Sequence, residues 1–255
     1  MLKKRIIPVI LLRDGLIVQS RKFKRYQVLG TPTAAVERFS SWSSDELIYL
    51  DISPGYNYDI RRSDLNHPDY GSIEDIIRLV SKKCFIPLTF GGKIRTIEDV
   101  KLRLKNGADK ITLNTAAIES PDLISKCCLE FGKQFIVVSI DAKKITKDKY
   151  VVFKGGKVET DLDPFELAKK VVAQGAGEIL INSIDNDGAS CGFDLDLIHK
   201  MAKTVRIPVI ALGGAGNWKH FEEALETDVS AVAAANIFQH SENSVYNLKK
   251  HLWDL

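Results

Sequence analysis

Short runs of Val, Ile and Leu recur along this chain, separated by longer stretches in which apolar side chains return every three or four residues. The short runs fit strands buried on both faces and the longer stretches fit amphipathic helices, so the alternation predicts repeated βα units around a parallel sheet. The predicted strands are IIPVILL (6–12), ELIYLDI (46–52), IPLTF (86–90), KITLN (110–114), FIVVSID (135–141), EILINSI (178–184), IPVIAL (207–212) and SAVAAAN (230–236). Among the predicted helices, TIEDVKLRLKNG places Ile97, Val100, Leu102 and Leu104 at apolar positions and stops at Gly107, and DPFELAKKVVAQG opens with Pro164 behind a capping Asp163. This pattern over 255 residues predicts an α/β fold of the (β/α)8 TIM-barrel type, as one domain over residues 1–255.

An internal repeat sharpens that expectation. FGGKIRTIEDV…ITLNTAAI from Phe90 and LGGAGNWKHFEEAL…AVAAANIF from Leu212 share a glycine pair, a helix and a strand ending in Asn. The same step separates Gly91 from Gly213 and Asn114 from Asn236, and the strands beginning at Glu46 and Glu178 hold corresponding places. Two similar half-barrels account for this. Two segments interrupt the pattern: an extended loop over 53–72 with Tyr56, Tyr58, Arg61, Arg62 and Tyr70, which would sit at the C-terminal face of a barrel, and YVVFKGGKVET (150–160), which reads as a hairpin turning at Gly155 and Gly156. The long loop reads equally as a self-packed surface loop or a recognition element.

Composition narrows the function classes. The chain is 45% hydrophobic and 27% charged, with 36 basic and 33 acidic residues giving a net charge of +3 and no long run of one sign. Nucleic acid and membrane surfaces are therefore not expected partners, and KKR (3–5) and RKFKR (21–25) read as solvated surface. The absence of a long apolar run and of a signal-peptide pattern makes a soluble, cytoplasmic protein the expectation. Cys84, Cys127, Cys128 and Cys191 lack metal-ligand spacing and no histidine completes a site, so reduced thiols, no metal and no cofactor are expected.

The repeated glycine turns carry the strongest chemical signal, because a glycine pair at a strand end lets backbone N–H groups approach an anion. One phosphate site would combine Gly91 and Gly92 with Asn114 and Thr115. Its repeat would combine Gly213, Gly214 and Gly216 with Asn236, helped by Gly188. A single such pair is more simply a tight turn, but two in register favour anion binding and a phosphorylated small molecule as ligand.

RIIPVILLRDG, DELIYLDIS, GADKITLNTAAI, VVSIDAKK, GAGEILINSIDNDG and IALGGAG resemble the cyclase subunit of imidazole glycerol phosphate synthase, a histidine-biosynthesis enzyme, over nearly the whole chain. The resemblance implies a glutaminase docked on the barrel base, ammonia passing through the centre, and two aspartates acting as acid and base at the mouth. Residue by residue, the fifth-strand aspartate falls on Asp141, but the first-strand aspartate falls on Leu11 and a lysine of the next segment on Gln19. Loss of one acid–base group costs typically 10²- to 10⁴-fold in rate. Lys93 stands where a third glycine is expected and could offer phosphate an ammonium; Leu212 and Asn236 replace serines. At the base, the four charged residues of the ammonia entrance fall on Arg5, Glu46, Lys110 and Glu178, all retained, and a glutaminase-docking carboxylate falls on Asp109.

An altered mouth over a retained base resembles the glycosyl amidation-associated branch of this family. There a glutaminase heterodimer supplies ammonia to a separate sugar amidotransferase, which amidates an acetamido sugar in surface-polysaccharide biosynthesis. That is the expected role; a genuine cyclase subunit is the alternative, and a sugar-phosphate isomerase on the same plan a second one.

Overall fold

Eight parallel strands close on themselves in the computed structural model, which describes residues 4–21, 24–55, 58, 72–147 and 149–253. In chain order these are β1 (Arg5–Arg13), β4 (Leu47–Asp51), β5 (Leu88–Gly91), β6 (Lys110–Leu113), β7 (Ile136–Thr146), β10 (Glu178–Ser183), β11 (Val209–Leu212) and β12 (Ala231–Ala234). Each pairs with the next, and β12 pairs back to β1, so the cylinder itself has no open edge. The fold is a (β/α)8 TIM barrel. Its described helices are α1 (Pro32–Ser41), α2 (Ile73–Ser81), α3 (Ile97–Lys105), α4 (Thr115–Glu119), α5 (Asp122–Phe131), α6 (Pro164–Ala173), α7 (Leu195–Thr204), α8 (Trp218–Glu226) and α9 (Ser244–Trp253).

Local signals explain where the helices begin. Thr96 and Asp99 form a reciprocal capping box at the start of α3, and the Asp163 carboxylate accepts from the backbone N–H groups of Phe165 (2.8 Å) and Glu166 (3.1 Å) ahead of Pro164. One assigned apolar position in α3 is corrected: Leu102 faces outward, while Arg103 is buried and donates to the carbonyls of Asp99 and Gly92 at 3.0 Å. That bond ties the helix to the glycine turn, a use of a charged residue that hydrophobic periodicity does not reveal.

Two cores result. One lies between strands and helices; the other fills the barrel and includes Ile7, Val9, Ile48, Val137, Leu180 and Ile210. Two antiparallel additions rise above the C-terminal mouth. The hairpin of β2 (Leu16–Arg21) and β3 (Arg25–Gly30) follows β1 and was not among the predicted elements. Strand β7 runs past the barrel to pair with β8 (Lys149–Lys154), which pairs with β9 (Val158–Glu159) around Gly155 and Gly156 at φ 58° and 66°. Most of the 53–72 loop, including Tyr56, Arg61, Arg62 and Tyr70, lies outside the described residues.

The half-barrels repeat in a register one residue away from the one that the glycine and asparagine matches suggest. β5 and β11, β6 and β12, and the caps Thr96 and Asn217 align so that Gly92 corresponds to Gly213, both at φ 97°. Lys93 then takes the place of Gly214, and Thr115 that of Asn236.

Candidate functional site: the two ends of the barrel

At the base, charged residues at or just before the starts of four strands meet. Arg5 Nη1 bonds Glu46 and lies 3.2 Å from Glu178 Oε1, while Lys110 Nζ lies 3.1 Å from both Glu46 Oε2 and Glu178 Oε1. The result is a closed ring of alternating charge. Burial opposes the charge on Arg5, but Glu178 and Glu46 outweigh it and hold the guanidinium pKa above its ordinary value. Glu178 Oε2 is buried with no hydrogen-bond partner among the described residues, and so is Thr112 Oγ1, on the strand that begins with Lys110. Asp109, exposed beside the ring, accepts from Leu88 N at 2.8 Å. Phe85, in the segment that enters β5 from the base, is 90% exposed.

At the mouth, Leu11 pairs with Leu50 and Val18 and packs against the barrel-filling core, together with Leu50. The position implied for an acid is thus part of an apolar wall. Across from it, buried Asp141 accepts from Asn182 Nδ2 (3.2 Å) and Asn114 Nδ2 (3.0 Å). Desolvation raises its pKa to about 6 against the lowering effect of these amides and of the Gly156 N–H. Asp187, half-buried in the SIDNDG turn, is pushed up to about 7 by desolvation and then by the charge of Asp141. Sequence reasoning reaches Gly188 in this turn but not Asp187, because its burial near Asp141 is set by packing across strands.

The residues of the first expected phosphate site are brought together but already engaged. Asn114 Oδ1 accepts from Gly155 N at 2.8 Å, and the hairpin turn lies over Thr115. Lys93, at φ 56°, does not offer its ammonium to the glycine turn. It lies 3.1 Å from Asp51 Oδ2, a side chain with no exposed surface, and over the Tyr58 ring. Asp51 also accepts from Ser53 Oγ (2.5 Å) and Tyr58 Oη (3.0 Å). Burial and that carboxylate hold the Tyr58 pKa above its ordinary value. The glycines have packing reasons of their own: a Cβ on Gly91 would stand 2.1 Å from Thr112 Cγ2, and one on Gly92 would stand 2.2 Å from the Asp51 carbonyl.

In the second half, Gly213 (φ 97°) and Gly214 (φ 109°) line a pocket with Gly188 and Asn236. Gly216 packs on Ser190, where a Cβ would come within 2.5 Å of the carbonyl. Asn236 donates to the Ser20 carbonyl at 2.6 Å, fastening the β2–β3 hairpin to this side of the mouth. Among the described residues no cluster of His, Cys, Asp and Glu is arranged to hold a metal, and no helix is long and apolar enough to cross a membrane.

Residues 5–244 match the family model described as "Histidine biosynthesis protein". Over 253 residues the chain is 41% identical to an "Imidazole glycerol phosphate synthase subunit HisF" of Endomicrobium trichonymphae, covering 99% of this chain and 93% of the relative. Proteins of the same name from Bacillus cereus and Campylobacter concisus are each 41% identical, covering 100% and 98% of this chain and 97% and 94% of the relatives.

Proposed function

The chain belongs to the histidine biosynthesis protein family, as a cyclase-subunit-like barrel, and from its two ends we propose that it docks a glutaminase at the base and passes ammonia to the mouth. The observation that carries this is the closed Arg5–Glu46–Lys110–Glu178 ring beneath an apolar lumen. A ring at a barrel base can serve stability alone. The unpartnered Glu178 Oε2 and Thr112 Oγ1 give a small hydrogen-bonding molecule acceptors at the entrance and within the strand wall. Neutral ammonia tolerates the apolar walls above, whereas a desolvated ammonium ion does not. The word "subunit" in the relatives' names supports assembly with a partner, and exposed Phe85, on the segment whose Leu88 N–H bonds Asp109, supplies an apolar anchor for it.

For the fate of the ammonia, Leu11 favours an acceptor outside the cyclase reaction. An aliphatic side chain neither gives nor takes a proton, so the acid–base pair of the cyclase is incomplete here. The finer form of this reading is amidation of an acetamido sugar in surface-polysaccharide biosynthesis, with a separate sugar amidotransferase as third component. The genuine cyclase is the second reading. It is supported by the relatives' names and by Asp141 and Asp187, two carboxyls whose pKa values are raised toward neutrality.

Two measurements on the pure chain with its cognate glutaminase test these readings. Asp109→Lys should weaken the complex at least tenfold on size exclusion or calorimetry and reduce glutaminase stimulation in parallel; unaltered binding and stimulation would remove the docking proposal. Turnover of the bis-phosphorylated ribulosyl intermediate with added ammonium should be undetectable. Product at an ordinary enzymatic rate would establish the cyclase instead.

A further inference from the structure

A cleft of about 620 Å³ opens beside the second-half glycine turns, between the β2–β3 hairpin and the turn after β10. Its hairpin wall carries Arg21 and Arg25; the facing wall carries Gly188, Asn236 and the exposed His240. Arg21 and Arg25 stand directly opposite one another in the β2–β3 ladder, an arrangement in which like charges repel. Neither guanidinium has a carboxylate partner among the described residues, and none of the residues lining the cleft is Asp or Glu. Arg21 and Arg25, the two ends of a stretch that reads as solvated surface, are therefore an uncompensated cationic pair facing a cavity.

The hairpin is fixed at this spot. Asn236 holds the Ser20 carbonyl, and Gly188, at φ 63°, lets the strand close in: a Cβ there would stand 2.6 Å from Ser20 O and 2.9 Å from Arg21 Cα. The same Gly188 and Asn236 also line the smaller pocket formed by Gly213 and Gly214. The two spaces thus share an edge, with glycine backbone on one side and two guanidinium forks on the other. Guanidinium forks match phosphate oxygens in pairs, and an external anion relieves the cross-strand repulsion.

We propose that this cleft takes a diphosphate ester, with one phosphate at the Gly188–Asn236 edge and its neighbour between Arg21 and Arg25. The proposal rests on the mouth being a ligand site and is independent of docking at the base. It assigns the mouth an asymmetry: in the first half the cation nearest the glycine turn, Lys93, is taken up by Asp51, whereas in the second half the cations face open space.

The full chain alone suffices for the test, by calorimetry with inorganic pyrophosphate and inorganic phosphate as probes. Pyrophosphate should bind at least tenfold more tightly than phosphate. The double variant Arg21→Gln/Arg25→Gln should lose at least tenfold in pyrophosphate affinity, while Lys101→Gln on the outer face of α3 leaves it unchanged. Arg25→Glu should raise the Tm, because the pair becomes attractive, and abolish pyrophosphate binding. Equal affinity for the two anions, no pyrophosphate binding, or undiminished binding by either arginine variant would overturn the proposal. Failure here leaves glutaminase docking untouched, and loss of docking in Asp109→Lys leaves pyrophosphate binding untouched.

Discussion

Replacing Asp141 by Asn should make the protein more stable while weakening any proton transfer at the mouth. Burial holds the carboxyl at about 6 against an ordinary 3.8, although two side-chain amides donate to it. Because the folded value is raised, the folded state binds the proton more tightly than the unfolded chain. The contribution of this group to stability is therefore complete below pH 3.8, falls as pH rises to about 6, and stays low above that. At about 1.4 kcal/mol per pH unit the loss amounts to about 3 kcal/mol at neutral pH. An asparagine is isosteric and uncharged, and its new N–H has a partner at hand. Asn182 Oδ1 is buried without one, so rotation of that amide accepts the bond. Asp141→Asn should then gain up to about 3 kcal/mol at pH 7.5, roughly 6–12 °C in Tm for a chain of this size, and nothing near pH 3.5. Urea or thermal unfolding at the two pH values reads this directly. Equal stability of the two proteins at pH 7.5, or an advantage of the same size at both pH values, would refute the reasoning. A cyclase reading adds that turnover falls typically 10²- to 10⁴-fold in the same variant.

Three further substitutions probe the surroundings. In Asp141→Asn the pKa of Asp187 should fall from about 7, because the charge of Asp141 is one of the two causes raising it; carboxyl chemical shifts followed against pH check this. Lys93→Met removes the ammonium from Asp51, whose side chain is fully buried. Breaking a buried pair costs about 3–5 kcal/mol, and the donors retained from Ser53 and Tyr58 should hold the loss to about 2 kcal/mol in urea unfolding. Leu11→Asp places a carboxylate against Leu50 and the barrel core and should cost about 2 kcal/mol at pH 7.5, with recovery in acid as the group protonates. Phe85→Ser, at a position 90% exposed, should leave the Tm unchanged within about 1 °C while lowering glutaminase affinity severalfold; a fall in Tm would show that the ring packs on the barrel itself.

The barrel was legible because its information is local. Every strand of the cylinder is a short apolar run, and the helix starts carry their own caps, as at Thr96 and Asp163. What escaped is decided by geometry across the chain. In the β2–β3 hairpin, β2 buries only the short apolar pair Ile17 and Val18 with Ser20, and β3 buries none of its residues, so neither gave a buried-strand signal. The repeat register slipped by one residue because Gly91 and Gly213 look alike in sequence, whereas φ aligns Gly92 with Gly213. Lys93 read as a phosphate ligand from its place in a glycine turn. Its partner, Asp51, comes from a different strand, and pairing across strands is invisible to spacing.

The two ends of the barrel can diverge because they are separate layers of the same strands. Arg5 and Leu11 both belong to β1, at its base and at its mouth, with the apolar pair Ile7 and Val9 between them. Those two side chains belong to the packed interior, so a change at the mouth reaches the base only through close-packed aliphatic contacts, which carry no charge and no hydrogen-bond preference. Replacing a carboxylate by leucine at the mouth therefore leaves the geometry of the charge ring unaltered, and the apolar wall it creates extends the lumen. The same separation limits what Leu11→Asp can restore: it would put a carboxylate in the wall while Gln19, Lys93 and Leu212 keep their own engagements. Restored proton chemistry from that single change would mean that Leu11 alone separates this mouth from a cyclase; no gain would mean that the surrounding residues do so together.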